Sequence, residues 1–255
     1  MIMNKSISTL TIFPYLLLLA TIGISQPKQI FISEDIQLLE LSDSVYLHAT
    51  WTEMEPYGRF SSNGLIVIKN GKALMVDTPM DSAATSFIYK HLLNSLNAQV
   101  TLLIPGHFHD DCIAGLPFLQ TKGARSLSGN LTREKCLELN LPIPDTAFID
   151  SIHFEFNSIP IACYYLGGGH THDNIVVYLP QQKILFGGCM VKSMESMGMG
   201  FIGDADLEAW PNTLQKLKSK FPEAEIIVPG HGNVGGIELI DHTLLLLQQN
   251  ASKNK

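Results

Sequence analysis

Six residues constrain this chain more than any other feature: His107, His109, Asp111, His170, Cys189 and His231. Each falls just past a predicted strand. The run His107-Phe108-His109-Asp110-Asp111 follows the apolar stretch Val100 to Ile104 and the break Pro105-Gly106. His170 ends Gly167-Gly168-Gly169, Cys189 follows Gly187-Gly188, and His231 sits between Gly230 and Gly232 after the strand Glu225 to Val228. Loops at strand ends let a rigid scaffold converge side chains from distant sequence positions. Glycines beside them allow close backbone approach. Imidazole, carboxylate and thiolate in sets of three, with a fourth position open, are the donor sets of catalytic zinc. Three histidines suit one such ion, and one Asp, one Cys and one His suit another. Spacing alone does not say which ion each member of H-x-H-x-D faces. His48, His91, His153, His172 and His242 read as ordinary core or surface residues.

The surrounding pattern is that of a mixed α/β protein. Leu65 to Ile68, the turn Asn70-Gly71 and Ala73 to Val76 form a β-hairpin signal closed by Asp77-Thr78-Pro79. Ser82 to Asn97 has helical spacing with Asp81 as its cap. Ile161 to Leu166, Ile175 to Leu179 and Lys183 to Phe186 read as strands. Asp206 to Lys220 and Gly236 to Gln249 read as helices. No linker or low-complexity tract interrupts residues 26–255, which are expected to form a single domain.

Residues 1–25 stand apart. Lys5, an apolar stretch from Ile12 to Ile24 and the small residues Gly23 and Ser25 read as a secretory signal peptide rather than a membrane span. Export predicts a periplasmic protein without stable membrane association. The net charge is -7, and removing residues 1–25 takes away Lys5 and no acid, leaving -8. With no basic patch, a nucleic-acid partner is excluded. Cys112, Cys136 and Cys163 are expected to be small buried thiols in preference to a Cys136–Cys163 bridge.

Taken together, His107-Phe108-His109-Asp110-Asp111, Gly169-His170-Thr171-His172-Asp173-Asn174, Gly187-Gly188-Cys189-Met190-Val191-Lys192 and Pro229-Gly230-His231-Gly232 resemble the class B metallo-β-lactamases. The match is to the subclass with a cysteine ligand at the second zinc. It extends from about Gln37 to Gln248 and includes Ser62-Asn63-Gly64, Asp77-Thr78-Pro79 and Gly203-Asp204-Ala205-Asp206. The resemblance implies a four-layer αβ/βα sandwich with a zinc groove along one edge. It implies two Zn2+ ions, the first held by His107, His109 and His170 and the second by Asp111, Cys189 and His231. The implied activity is hydrolysis of β-lactam antibiotics (penicillins, cephalosporins, carbapenems) by a zinc-activated hydroxide, conferring resistance. Asp111 would orient that hydroxide as the catalytic carboxylate, and Lys192 would take the substrate carboxylate. Asp77 would brace the metal loop, and Glu53 to Phe60 would be the mobile loop that covers substrate. The working unit is expected to be a monomer whose partner is the small-molecule lactam.

The chain departs from the family at several places. Phe201 occupies the substrate-binding position usually held by Asn, which removes a hydrogen-bond donor worth on the order of 1 to 3 kcal/mol and predicts an altered substrate preference. Met80 stands where Trp often follows Asp-Thr-Pro, Ala114-Gly115 replaces Gly-Gly, and Gly106 replaces Thr or Asn. Two other readings use the same features. A thioesterase of the same fold would carry H-x-H-x-D-H, but Cys112 stands at the final position. A non-catalytic periplasmic zinc-binding protein would be expected to coordinate its ion fully.

Overall fold

The apolar runs of the sequence are buried on both faces, which is why they show little alternation. The computed structural model describes residues 28–253, and the expected signal segment, 1–25, lies outside the described residues. Gln29–Ser33 (β1), Ile36–Ser42 (β2), Val45–Met54 (β3), Gly58–Lys69 (β4) and Lys72–Val76 (β5) form an antiparallel meander. After helix α1 (Ser82–Ser95), strands Gln99–Ile104 (β6), Arg125–Gly129 (β7) and Thr146–Phe148 (β8) continue the same sheet in parallel, to eight strands. Short helices Asp110–Ile113 (α2), Leu116–Thr121 (α3) and Asn130–Glu138 (α4) connect those parallel strands.

Ser151–Phe156 (β9), Ile159–Tyr164 (β10), Val176–Leu179 (β11), Ile184–Gly188 (β12) and Ile226–Pro229 (β13) build a second, five-stranded sheet. Helix Trp210–Lys220 (α5) makes the crossover from β12 to its parallel neighbour β13, and Glu238–Lys253 (α6) closes the described chain.

Side-chain alternation sorts these elements into layers. Leu65, Val67, Leu74 and Val76 point into the space between the sheets, where they meet Ile161, Val177, Phe186 and Val228. Ile66, Ala73 and Met75 point the other way, onto Ile88 and Leu92 of α1 and Leu116 and Leu119 of α3. On the far side, Leu185 and Ile227 pack on Trp210, Leu214 and Leu217 of α5 and on Leu239 and Leu247 of α6. The result is helices, sheet, sheet, helices: the expected four-layer sandwich. Each of the fully buried Leu and Ile side chains contributes roughly 1.5–3 kcal/mol, and all three apolar layers carry them.

Helix α1 starts as the sequence predicts, with Asp81 accepting the backbone N–H of Ala84 at 2.7 Å. Helix α5 starts four residues later than the predicted Asp206. Asp206 instead caps a turn, accepting the N–H of Ala209 at 2.9 Å, and Pro211 sits in the first helical turn. Glu53 to Phe60, expected as a covering loop, is for the most part the end of a β-hairpin. Met54 pairs with Gly58, and β3 and β4 stay in register beyond the core. All four cysteines are unpaired and buried, as expected.

Candidate metal centre

The strand ends that carry the predicted ligands are tied to one another by backbone bonds. Gly230 N–H donates to the Gly188 carbonyl at 2.8 Å, joining the Cys189 and His231 loops. Ile175 N–H donates to the Gly106 carbonyl at 2.9 Å, joining the His107 loop to the segment after His170. Asn63 on β4 reaches across both sheets, its amide donating to the carbonyls of Pro229 (3.0 Å) and Gly232 (2.7 Å). Gly230 has a steric reason to be glycine, because a Cβ there would stand 2.4 Å from Cys189 Sγ.

His107, His109 and His170 converge. Nδ1 of His109 lies 3.0 Å from Nε2 of His107 and 3.2 Å from Nε2 of His170. A tetrahedral zinc with nitrogen ligands at 2.0–2.1 Å places those nitrogens about 3.3 Å apart, so the spacing fits one ion. Burial lowers the pKa of His107 to about 4, and that of His170 falls well below the ordinary imidazole value for the same reason. Both rings are therefore neutral at pH 7 and offer lone pairs. His170 Nδ1 is buried with no hydrogen-bond partner.

Asp111, Cys189 and His231 form the second trio. Cys189 Sγ lies 3.2 Å from Asp111 Oδ2 and 3.4 Å from His231 Nε2, and the last two are 3.5 Å apart. His231 Nδ1 faces the Ser61 carbonyl at 2.8 Å, which aims Nε2 at the trio. Burial and the neighbouring Asp111 carboxylate hold the Cys189 thiol well above its ordinary pKa. A divalent cation held by the trio would reverse that balance and select the thiolate. His107 Nε2 is 3.7 Å from Asp111 Oδ1, so the trios adjoin. Among the described residues, donor atoms also cluster at His107, His170 and Cys189, and at His107, Asp111 and Cys112.

Behind these residues lies a supporting layer. Asp77 is fully buried in a left-handed backbone conformation (φ 58°) and accepts the Gly106 N–H, bracing the loop that carries His107. His109 Nε2 meets Asp204 Oδ2 at 3.0 Å. Neither Asp204 nor Asn63 stood out in the sequence beyond membership of a motif. Their partners lie 95 and 166 or more positions away, so no local signal marks them.

The trios open into a groove of about 640 Å³. Its walls include Met54, Tyr57 and Phe60 from the hairpin end, Met80, Val191 and Phe201. Phe60 lies edge-on to His231 with ring centroids 5.6 Å apart. Lys192 also lines the groove. It is buried, with Nζ 5.6 Å from the Trp210 ring centroid. Burial lowers its pKa, and the proximity of Cys189 and Asp111 opposes that shift. Phe201 is half-exposed, its ring centroid 5.6 Å from that of His109. All eight residues predicted for the site therefore lie in or directly beneath one groove.

The chain is similar to known proteins over most of its length. Residues 141–231 match the description of the metallo-beta-lactamase superfamily. The chain is 46% identical over 239 residues to a metallo-beta-lactamase type 2 of Bacteroides fragilis, covering 94% of this chain and 96% of that one. Among solved structures it resembles a metallo-beta-lactamase from Pontibacter korlensis, with a TM-score of 0.81 and 36% identity over 84% of this chain and 99% of that one. It also resembles VMB-1, with a TM-score of 0.80 and 34% identity over 86% and 99% of the two chains.

Proposed function

This chain belongs to the class B metallo-β-lactamases, and from that premise we propose that its groove hydrolyses the lactam amide of penicillins, cephalosporins and carbapenems with two zinc ions. The observation that carries the proposal is the pair of adjoining trios, each bringing three donor atoms together, at the floor of a largely apolar groove. His107, His109 and His170 would hold one ion, and Asp111, Cys189 and His231 the other. Zinc bound there supplies a Lewis acid and a water acidified to near neutrality.

The chain's own residues do the rest. Asp111, a member of the second trio 3.5 Å from His231, also reaches the first, 3.7 Å from His107. Its carboxylate accepts a proton-bearing donor at that position and so orients a water for attack on the carbonyl. Burial opposes ionisation of Asp111, but His107 and His231 outweigh it and keep its pKa below the ordinary carboxylate value. It therefore stays an acceptor at pH 7. Lys192, beside the second trio, binds the carboxylate that bicyclic lactams carry next to the ring nitrogen. Phe60, Met54 and Tyr57 remove water from the apolar part of the substrate. Asp204 orients His109.

We propose further that residues 1–25 direct export to the periplasm, where lactam antibiotics are met, and that the exported protein works as a monomer. The composition of that segment supports the first point. No helix among the described residues is long and apolar enough to cross a membrane. The test is absorbance-monitored hydrolysis of benzylpenicillin, a cephalosporin and a carbapenem by the zinc-loaded protein, before and after chelation. Turnover that chelation abolishes is expected. Failure on all three at full zinc occupancy would overturn the proposal.

A further inference from the structure

Lys192 stands past the end of β12, so its backbone N–H lies outside the sheet ladder. The residue is buried, and a buried N–H needs a partner. Helix α6 supplies one. The Lys192 amide donates to Thr243 Oγ1 at 2.9 Å, across 51 positions of sequence. The same hydroxyl donates to the Leu239 carbonyl, one turn earlier on α6, at 2.7 Å. Thr243 is fully buried, and its single oxygen both accepts and donates. A valine of the same shape can do neither.

The rest of the loop is held from the same side. One residue before Thr243, Nε2 of His242 lies 2.9 Å from the Ser196 carbonyl. Consecutive residues of α6 therefore tie down Lys192 and Ser196, both of which line the groove. The far end of the lysine is held by α5. Its Nζ lies 5.6 Å from the Trp210 ring centroid, and the Trp210 indole N–H donates to the Met190 carbonyl at 2.9 Å. A long, rotamer-rich cation loses entropy when it binds an anion. Fixing its main chain and its head beforehand removes part of that cost.

We infer, on the basis of the lactam hydrolysis proposed above, that Thr243 is a positioning residue for substrate binding: its hydroxyl sets the main chain from which Lys192 reaches the substrate carboxylate. That contact is made in the ground state and the transition state alike. Its loss therefore raises KM and leaves kcat in place.

The test is steady-state hydrolysis, by the zinc-loaded protein, of benzylpenicillin and of its methyl ester, which offers Lys192 no carboxylate. In Thr243→Val, KM for benzylpenicillin should rise about tenfold while kcat stays within about twofold. KM for the ester should move by less than about twofold. Thr243→Ser keeps the hydroxyl and should restore the parent KM. In a Lys192→Ala background Thr243→Val should add nothing, because the two changes act through one contact. In the unmodified protein the Lys192 amide should exchange its hydrogen slowly by NMR, a readout that depends on no variant. An equal rise for acid and ester, a fall in kcat with KM held, or loss of zinc from Thr243→Val overturns the inference and leaves lactam hydrolysis standing. A freely exchanging Lys192 amide does the same. Absence of benzylpenicillin turnover by the unmodified protein overturns both.

Discussion

Asp204 Oδ2 stands 3.0 Å from Nε2 of His109, and this one contact decides which nitrogen of that ring is offered to the groove. If Nε2–H donates to the carboxylate, the lone pair is on Nδ1, the atom facing His107 and His170. A buried or half-buried imidazole without such a partner populates either tautomer.

Asp204→Ala should therefore weaken zinc at the three-histidine trio by about 10–100-fold, measured by competition with a fluorescent chelator. Global stability should change little, because Asp204 is 42% exposed and surface pairs contribute only about 0–1 kcal/mol. Unchanged zinc affinity would show that His109 is oriented by its packing against Phe108 and Phe201 instead.

Cys189 gives a second expectation. Its sulfur completes a buried trio against Asp111 and His231, and Gly230 leaves no spare room around it. Serine is shorter, and its hydroxyl does not ionise as a thiolate does. Cys189→Ser should reduce the zinc bound per chain from two ions to one under stoichiometric loading, read by elemental mass spectrometry. Retention of two would mean that Asp111 and His231 suffice with solvent.

Much of this was legible in the sequence where the signal is local. The apolar runs of β4 to β6, the Asp81 cap and the glycine-flanked ligands depend on residues within a few positions of one another. Glu53 to Phe60, a covering loop by resemblance, is a hairpin end in which β3 pairs with β4 as far as Met54 and Gly58, and its Met54, Tyr57 and Phe60 do line the groove. Helix α5 was begun too early because Asp206 is a capping residue by type, and here it caps the turn before the helix. Gly106, a departure with no evident effect in the sequence, lies against the buried Asp77 carboxylate, where a side chain would fit only with a small shift of its neighbour. A Cβ there would stand 3.1 Å from both carboxylate oxygens of Asp77. The three-histidine grouping was implied by resemblance, since alternation in H-x-H-x-D does not separate His109 from Asp111. Convergence of β6 and the segment after β10 separates them.

His48 supplies a test that involves no predicted metal ligand. It lies on β3, fully buried, with Nε2 3.2 Å from the Asp77 carbonyl and Nδ1 without a partner. Burial lowers its pKa from 6.5 to about 4, partly opposed by that carbonyl. Between those values the unfolded chain binds a proton that the folded protein refuses, so protonation favours unfolding. The stability that His48 confers as a neutral ring is complete above pH 6.5 and declines as the pH falls toward 4. At pH 5 the loss from this residue alone is on the order of 2 kcal/mol. His48→Gln keeps an N–H donor for the Asp77 carbonyl and has no proton to gain. Urea unfolding of the metal-depleted proteins at pH 7.5 and pH 5 should show the variant losing less stability than the parent by about that amount. The other buried histidines contribute equally to both chains and cancel in the difference. An identical loss in the two proteins would place the His48 pKa near its unfolded value and remove the buried neutral ring from the account of how β3 supports Asp77.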